Sequence, residues 1–314
     1  MVIAEALGHA LVVEPYVDTV VVAGGLLRRA GGSAANALLE KVVSGSAIVA
    51  LAAAEPGSGE SWHDVSTVAD RDGDEWVLRG SKIVVMSAPL ATHLLITART
   101  SVGLSLFLVE TDSAATGIED HRYRTVDDRR AADLVFDGLR LPADALLGED
   151  GKAWPSLAKA RDEGAAAICA EAVGCMRKVL ADTVEYCKQR QQFEQPIGSF
   201  QVLQHRMVDM YMEVEQAVAA VYLAVLNLEA EPDVRARGIG RQGDDRQGRT
   251  FCGPAGGPAA RRHGHDRGTG HRPLLQAAHR VAVRVRLDGL PRLPVRRADE
   301  GPIAETHVWV RKCE

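Results

Sequence analysis

Between residues 201 and 226 the chain reads QVLQHRMVDMYMEVEQAVAAVYLAVL. Leu203, Met207, Met210, Val214, Val218, Val221 and Val225 recur there at steps of three and four. That spacing puts them on one face of a helix several turns long, and the face has to be covered by another helix. Ile168, Ala172, Met176 and Val179 draw a second stripe upstream. Between the two lies RQQFEQPIGSF, whose Pro and Gly interrupt any continuous helix. The pattern predicts two long antiparallel helices of a bundle, with Ser199 as N-cap of the second.

Ahead of the bundle the period changes twice. Residues 1–45 have helical spacing in MVIAEALGHALV and again in AANALLEKVVSG, which ends on a Gly stop signal. Residues 46–147 read as strands and turns: AIVALAA, EWVLRGSKIVVMSA as two runs around a Gly turn, HLLITART, LSLFLVET and ADLVFDGLRLP. DRDGDE supplies a turn before the second of these. A small barrel or sandwich fits that rhythm. The bundle occupies 148–235. From 236 to 314 the chain is Arg, Gly, Pro and His with neither period, and is expected to stay disordered. The expected fold class is α+β: a partial N-terminal helical region, a central β-barrel domain, a truncated C-terminal helical bundle and that tail.

Hydrophobic content of 46% suits a globular chain, and no apolar run reaches membrane-span length. The start lacks a basic segment and a small-residue cleavage site, so no signal peptide is expected. Cys169 and Cys187 fall on one helical stripe with Met176 and Leu180, the pattern of buried thiols in a reducing cytosol. A cytoplasmic protein with neither membrane nor nucleic-acid partner is the expectation. The net charge of −5 is split: acidic up to about residue 237, basic and almost wholly arginine beyond it.

Three stretches carry a family resemblance: AEPGSGES at 54–61, RRAADLVFDGLRLPADALLG at 129–148, and AEAVG followed by VEYCKQRQQFEQPIGSFQVLQHRMVDM within 170–210. Over about residues 1–235 the chain resembles the acyl-CoA dehydrogenases. The resemblance implies an FAD flavoprotein that oxidises an acyl-CoA thioester between its α and β carbons, a carboxylate taking the α proton and the flavin the β hydride. It implies that the first Met falls inside the family's N-terminal helical domain. It also implies a homo- or hetero-oligomer, because family dimers grip the ADP portion of FAD from the neighbouring subunit. Arg190, Gln192, Phe193 and Gln201 match those gripping positions, and an arginine fork suits a pyrophosphate. Without the resemblance, Arg190 reads as a helix-end cation and Phe193 as a core residue. Glu194 replaces the family's usual glycine there.

The flavin-ring side departs from the pattern. Gly57 and Gly59 keep the glycines of the family's T-E-P-G-x-G-S, but Ala54 replaces the threonine and Glu60 the serine. Val84-Val85-Met86 stands where W-x-T is usual, which removes an aromatic wall and a hydroxyl. For the catalytic base the family has two positions: one early in the bundle's first helix, which is Gly164 here, and one near the C-terminus, which falls inside the tail, so no catalytic residue is assigned. Glu163 is adjacent, but one residue turns a helical side chain by about 100°, and it is expected to be solvated.

The tail gathers His263, His265, His271 and His279. A His-x-His pair alone lacks the spacing of a zinc site, so no metal is assigned. A different origin explains the histidines. Codons for FCGPAGGPAARRHGH can be chosen so that a one-base shift reads F-V-G-Q-Q-A-V-Q-L-H-G-G-M-G. GIGRQGDDRQGR reads A-S-A-A-K-A-T-I-G-R-A-A once a single G is removed near codon 238. Those match the family's missing helices in order, and the expectation is that the tail is a frameshifted reading. Three functions follow: a dehydrogenase subunit inactive alone, a non-catalytic partner in a heteromeric dehydrogenase, or a damaged gene product.

Overall fold

The computed structural model describes residues 1–58, 61–112, 117–125 and 127–228. The tail and its four histidines, with Gly59 and Glu60, lie outside the described residues. The chain opens with α1 (Val2–His9), a π-helical segment (Val17–Ala23) running directly into α2 (Gly24–Ala30), and α3 (Gly32–Val43). α3 is followed by Gly45 at φ 75°, a left-handed stop at the expected Gly signal.

The strands follow: β1 (Val49–Ala52), β2 (Val68–Asp72), β3 (Glu75–Met86), β4 (His93–Arg99), β5 (Leu104–Glu110), β6 (Ile118–Arg124), β7 (Arg130–Pro142) and β8 (Leu146–Leu147). They form one sheet in the order β6-β7-β3-β2-β4-β5-β8, with β1 parallel to β4. The order ends on β6 and β8, so the hydrogen-bonded path does not close as an ideal barrel would. Instead the sheet folds around a core of Ala50, Leu78, Ile96, Phe107, Leu134 and Leu139.

β4 shows why its sequence is apolar without a break. Leu94 and Ile96 enter that inner core, whereas Leu95 enters a second core with Leu26, Leu27 and Leu157 of the helices. A strand covered on both faces has no reason to alternate. β6, IEDHRYR, is the opposite case. It is almost wholly exposed at the sheet edge, and its charges suit an edge that must resist further pairing. The sequence reading missed it because it has no apolar face. Gly80 is a correction too: it is no turn but lies inside β3, at φ 148°, because a Cβ there would come within 2.7 Å of Thr67 Cα.

The bundle holds as expected: α4 (Trp154–Gln189) and α5 (Gln201–Leu226), joined by the small hairpin β9 (Gln191–Gln192) and β10 (Gln195–Pro196). Val214, Val218 and Val221 are buried against Cys169, Val173 and Met176. Ile168 and Val179, by contrast, are exposed, so only the centre of the first stripe is covered. Cys169 and Cys187 are buried free thiols, and burial pushes Cys169 up to about 11. Ser199 does not cap α5. Phe200 holds that position, and the Ser199 hydroxyl donates to the Pro196 carbonyl instead. α1 lies directly on α4: a Cβ on Gly8 would stand 1.8 Å from Glu171 O, and one on Gly174 2.0 Å from Glu5 O. Only glycine permits that backbone contact.

Candidate functional site

At the end of β1 the chain makes a tight turn. Gly57 sits at φ 82° behind Pro56, the arrangement a type II turn requires, and the Ser58 N–H donates to Glu55 O at 3.2 Å. The space beyond Gly57 is open. Glu55 points the other way, into the protein. Its carboxylate accepts from Ser66 N at 2.6 Å, Thr67 N at 3.0 Å, the Ser66 hydroxyl and Lys82 Nζ at 2.6 Å. Lys82 is fully buried and also donates to Thr97 Oγ1 at 2.8 Å. Burial alone would raise the carboxyl of Glu55, but these donors hold it down at about 2. Burial draws the Lys82 ammonium down to about 8, against the opposing pull of Glu55. Both groups are therefore charged at neutral pH, and two of the three ammonium donors are spent on Glu55 and Thr97. The pair ties the β1 turn to β3 and β4, and neither member is free to serve a ligand. Sequence reading missed it: Glu55 looked like one letter of a glycine-turn motif.

The Lys82 strand continues along the same turn, since Ile83 N donates to Ala54 O at 2.9 Å. Between Lys82 and Val85 the pairing with β7 slips, a bulge that re-aims side chains. Val84 sits in it at φ 51°, which is strained for a β-branched residue, half-exposed, with its N–H on Asp133 at 2.8 Å. Asp133 also accepts from Tyr123 OH at 2.9 Å; burial and this carboxylate push that phenol up to about 12. Val85 is buried in the sheet core. Ser87, at φ 64°, donates to Asp18 of the π-helical segment at 2.7 Å. Thus Ala54 adjoins the strand that leads into residues 84–87, and Ser87 ties that stretch to the first helices. No described side chain of 84–86 brings an aromatic ring or a hydroxyl to that place.

On α4, Gly164 is buried, and a Cβ on it would stand 2.7 Å from a Val22 methyl. The side-chain space at Gly164 is taken by that methyl. Glu163, expected in solvent, is instead only 15% exposed and ion-paired: Arg29 Nη1 lies 2.9 Å from both of its oxygens. The partner is 134 residues away in sequence, which no local pattern reveals.

The second set of residues stands on the hairpin between α4 and α5. Arg190, Gln192, Phe193 and Gln201 are all exposed, and Phe193 at 85% is the opposite of a core residue. Its only ring contact among the described residues is an edge-on one with Phe200 at 6.1 Å. Phe193 and Glu194 both have positive φ, 54° and 63°, the backbone of a two-residue hairpin turn normally given to Asn-Gly. The Arg190 guanidinium has no partner among the described residues. The structure does not join these four to the Ala54–Gly57 turn; their hairpin packs on α4.

Among the described residues no three His, Cys, Asp or Glu side chains gather as a metal site, and no helix is long and apolar enough to cross a membrane.

Residues 50–139 match the acyl-CoA dehydrogenase middle domain and residues 151–239 the acyl-CoA dehydrogenase C-terminal domain. Acyl-CoA dehydrogenase FadE12 of Mycobacterium tuberculosis is 31% identical over 185 residues, which are 57% of this chain and 48% of that protein. The chain thus spans about half the length of the curated relatives it matches. A steroid ACAD variant of solved structure is 32% identical with a TM-score of 0.65, covering 74% of this chain and 62% of that one. A glutaryl-CoA dehydrogenase from Mycobacterium smegmatis in complex with FADH2 is 26% identical with a TM-score of 0.63, covering 69% and 57%. Two adjacent domain matches that together span more than half of the sequence, over a fold with the same order of parts, leave one conclusion. The chain belongs to the acyl-CoA dehydrogenase family.

Proposed function

We propose that this chain is a flavoprotein-type subunit of an acyl-CoA dehydrogenase that is inactive alone and serves as the non-catalytic partner of a second, catalytic chain in the cytoplasm. The observation that carries the reading is Gly164, whose side-chain space belongs to Val22. Glu163 is held by Arg29 and Glu55 by Lys82, so each of these carboxylates is engaged by a cation of the chain itself.

The residues present fit FAD on one side and not on the other. Around Ala54 and 84–86 no donor is offered to a flavin ring, and no proton or hydride step is assigned to this chain. At the hairpin, Arg190 is an exposed guanidinium with no partner among the described residues, three residues in sequence from the exposed Phe193 ring, a chemistry suited to a pyrophosphate and its nucleoside. Arg190, Gln192, Phe193 and Gln201 would grip the ADP portion of FAD seated in the partner subunit, where an acyl-CoA is oxidised. Gly57 would retain only its turn, and Gly59 lies outside the described residues.

The C-terminal domain match stops at residue 239, within two residues of the codon at which one deleted base restores family-like reading. That supports a frameshifted tail, and it removes the reason to treat His263, His265, His271 and His279 as ligands. Purified alone, the chain should show no flavin absorbance and no dye-linked acyl-CoA oxidation. Co-expressed with a catalytic homologue it should co-purify with flavin, and Arg190→Ala should release that flavin. Flavin and turnover in the isolated chain would overturn the reading. Resequencing the codons around Arg237 tests the frame directly.

A further inference from the structure

A helix at the surface of a fold needs one apolar stripe. α5 has two. The first, through Val214, Val218 and Val221, is buried against α4. The second runs through Val208, Tyr211, Met212, Tyr222, Leu223 and Leu226, each between 45% and 74% exposed. At 100° per residue it lies roughly 110° round the helix from the first. Arg206, Asp209, Glu213 and Gln216, all exposed, hold the remaining side. The helix is therefore not apolar all round, and its bare stripe is as distinct from the polar side as the covered one.

The bare stripe has the spacing of a coiled-coil seam. Positions 208, 212, 215, 219, 222 and 226 follow one another at steps of four and three over about five turns. Turned antiparallel onto itself, about a twofold axis at the level of Ala217, the stripe is its own complement. Val208 then meets Leu226 of the second copy, Met212 meets Tyr222, and Tyr211 meets Leu223 beside the seam. Every large exposed apolar residue of α5 after Val202 gains an apolar partner in that one register. Glu215, the only charge in the seam, meets Ala219, whose small side chain leaves the carboxylate a way out to the rim. The bare fractions of the six large residues amount to roughly 600 Å² per copy, so a pair would cover about 1,200 Å², the lower bound of a specific and stable interface.

We propose that α5 is a homodimerisation helix, through which two copies of this chain pair antiparallel along Val208, Met212, Ala219, Tyr222 and Leu226. The second copy's α5 ends at Leu226, opposite Val208, and so stops two turns short of Gln201 and the hairpin. The seam therefore stands apart from the proposed flavin-gripping role.

Sedimentation velocity on the full chain from about 1 to about 100 µM tests it, the range that brackets a micromolar Kd for an interface of that size. Monomer should convert to dimer across that range. Met212→Glu and Tyr222→Lys, both at exposed positions, should each weaken the dimer at least about tenfold, because each puts two unpaired charges into the seam. Mixed in equal amounts they should dimerise again, since the register sets position 212 of one copy against position 222 of the other. Glu215→Leu should tighten the dimer at least about tenfold, a gain that a damaged fold cannot imitate. Circular dichroism melting of each variant separates a lost seam from a lost fold. A full chain that stays monomeric at about 100 µM, a dimer indifferent to both single changes, or a mixture no tighter than its components would each overturn the proposal. Flavin retention on co-expression reads the hairpin separately, so a lost dimer with flavin kept would sink the seam and leave the role of Arg190 standing.

Discussion

The β1–β3 side of the site and the α4–α5 hairpin are built on opposite principles. At Glu55 and Lys82 the carboxylate and the ammonium are turned inward and bonded to the protein itself. At Arg190 and Phe193 the cation and the ring are turned outward, with nothing among the described residues to satisfy them. Both segments carry motif letters of one family, yet only the second keeps groups available to something outside the chain. Family motifs thus mix letters that fold with letters that bind, and burial separates them.

The comparison breaks first at Lys82. Lys82→Met leaves the Glu55 carboxylate charged and buried without its cation, and truncating one member of such a pair costs about 3–5 kcal/mol. The double change Lys82→Met with Glu55→Gln should cost much less, because the unpaired charge goes too. Urea unfolding of the two variants measures the difference. If Lys82→Met is as stable as wild type, the inward half of the comparison is wrong.

Acid should probe the same pair. Glu55 is held down at about 2 in the folded chain against 4.5 for a free glutamate carboxyl, so its contribution is fully present above about pH 4.5 and is lost as pH falls through 2. By linkage the full contribution is on the order of 3 kcal/mol. The stability gap between wild type and Glu55→Gln, followed from pH 6 to pH 2, should therefore shrink only below 4.5. A gap that stays constant over that range would detach the acid response from this residue.

Gly164→Glu restores the family's carboxylate where Val22 now stands. The clash should cost about 1–3 kcal/mol, the usual penalty of overpacking, and Val22→Ala should recover part of it. Thermal melting of the single and double variants checks both directions.

Much of this was legible in sequence for a physical reason. Apolar residues repeat with the period of the element that buries them, so α4, α5, β1, β4 and β5 announced themselves. Where burial does not follow a period, the sequence was silent. β6 is an edge strand with no buried face, and Gly80 serves a close approach to Thr67 that lies in another strand. The ion pairs Glu55–Lys82 and Arg29–Glu163 join segments 27 and 134 residues apart, and each changed the meaning of a residue judged from its neighbours. Phe193 failed in the same way: an aromatic beside a helix end reads as core until the turn is seen to carry it outward. The four histidines of the tail remain a matter for the codons.

The smallest effect on stability belongs to the hairpin, and that is its value. Phe193→Ser removes a ring that is 85% exposed and touches only Phe200 edge-on, so the melting temperature of the isolated chain should barely move, within about 0.5 kcal/mol. If the outward groups are there for a neighbour, the same change should cost the co-expressed complex most of its flavin, and Arg190→Ala should do likewise. Size-exclusion chromatography with absorbance at flavin wavelengths reads both variants in one run. A variant that melts normally and still co-elutes with a full complement of flavin would show that exposure at this turn has no recipient. One that melts early would mean that the ring supports the fold after all. Only an undisturbed fold combined with lost flavin keeps the two halves of the site as different in purpose as they are in burial.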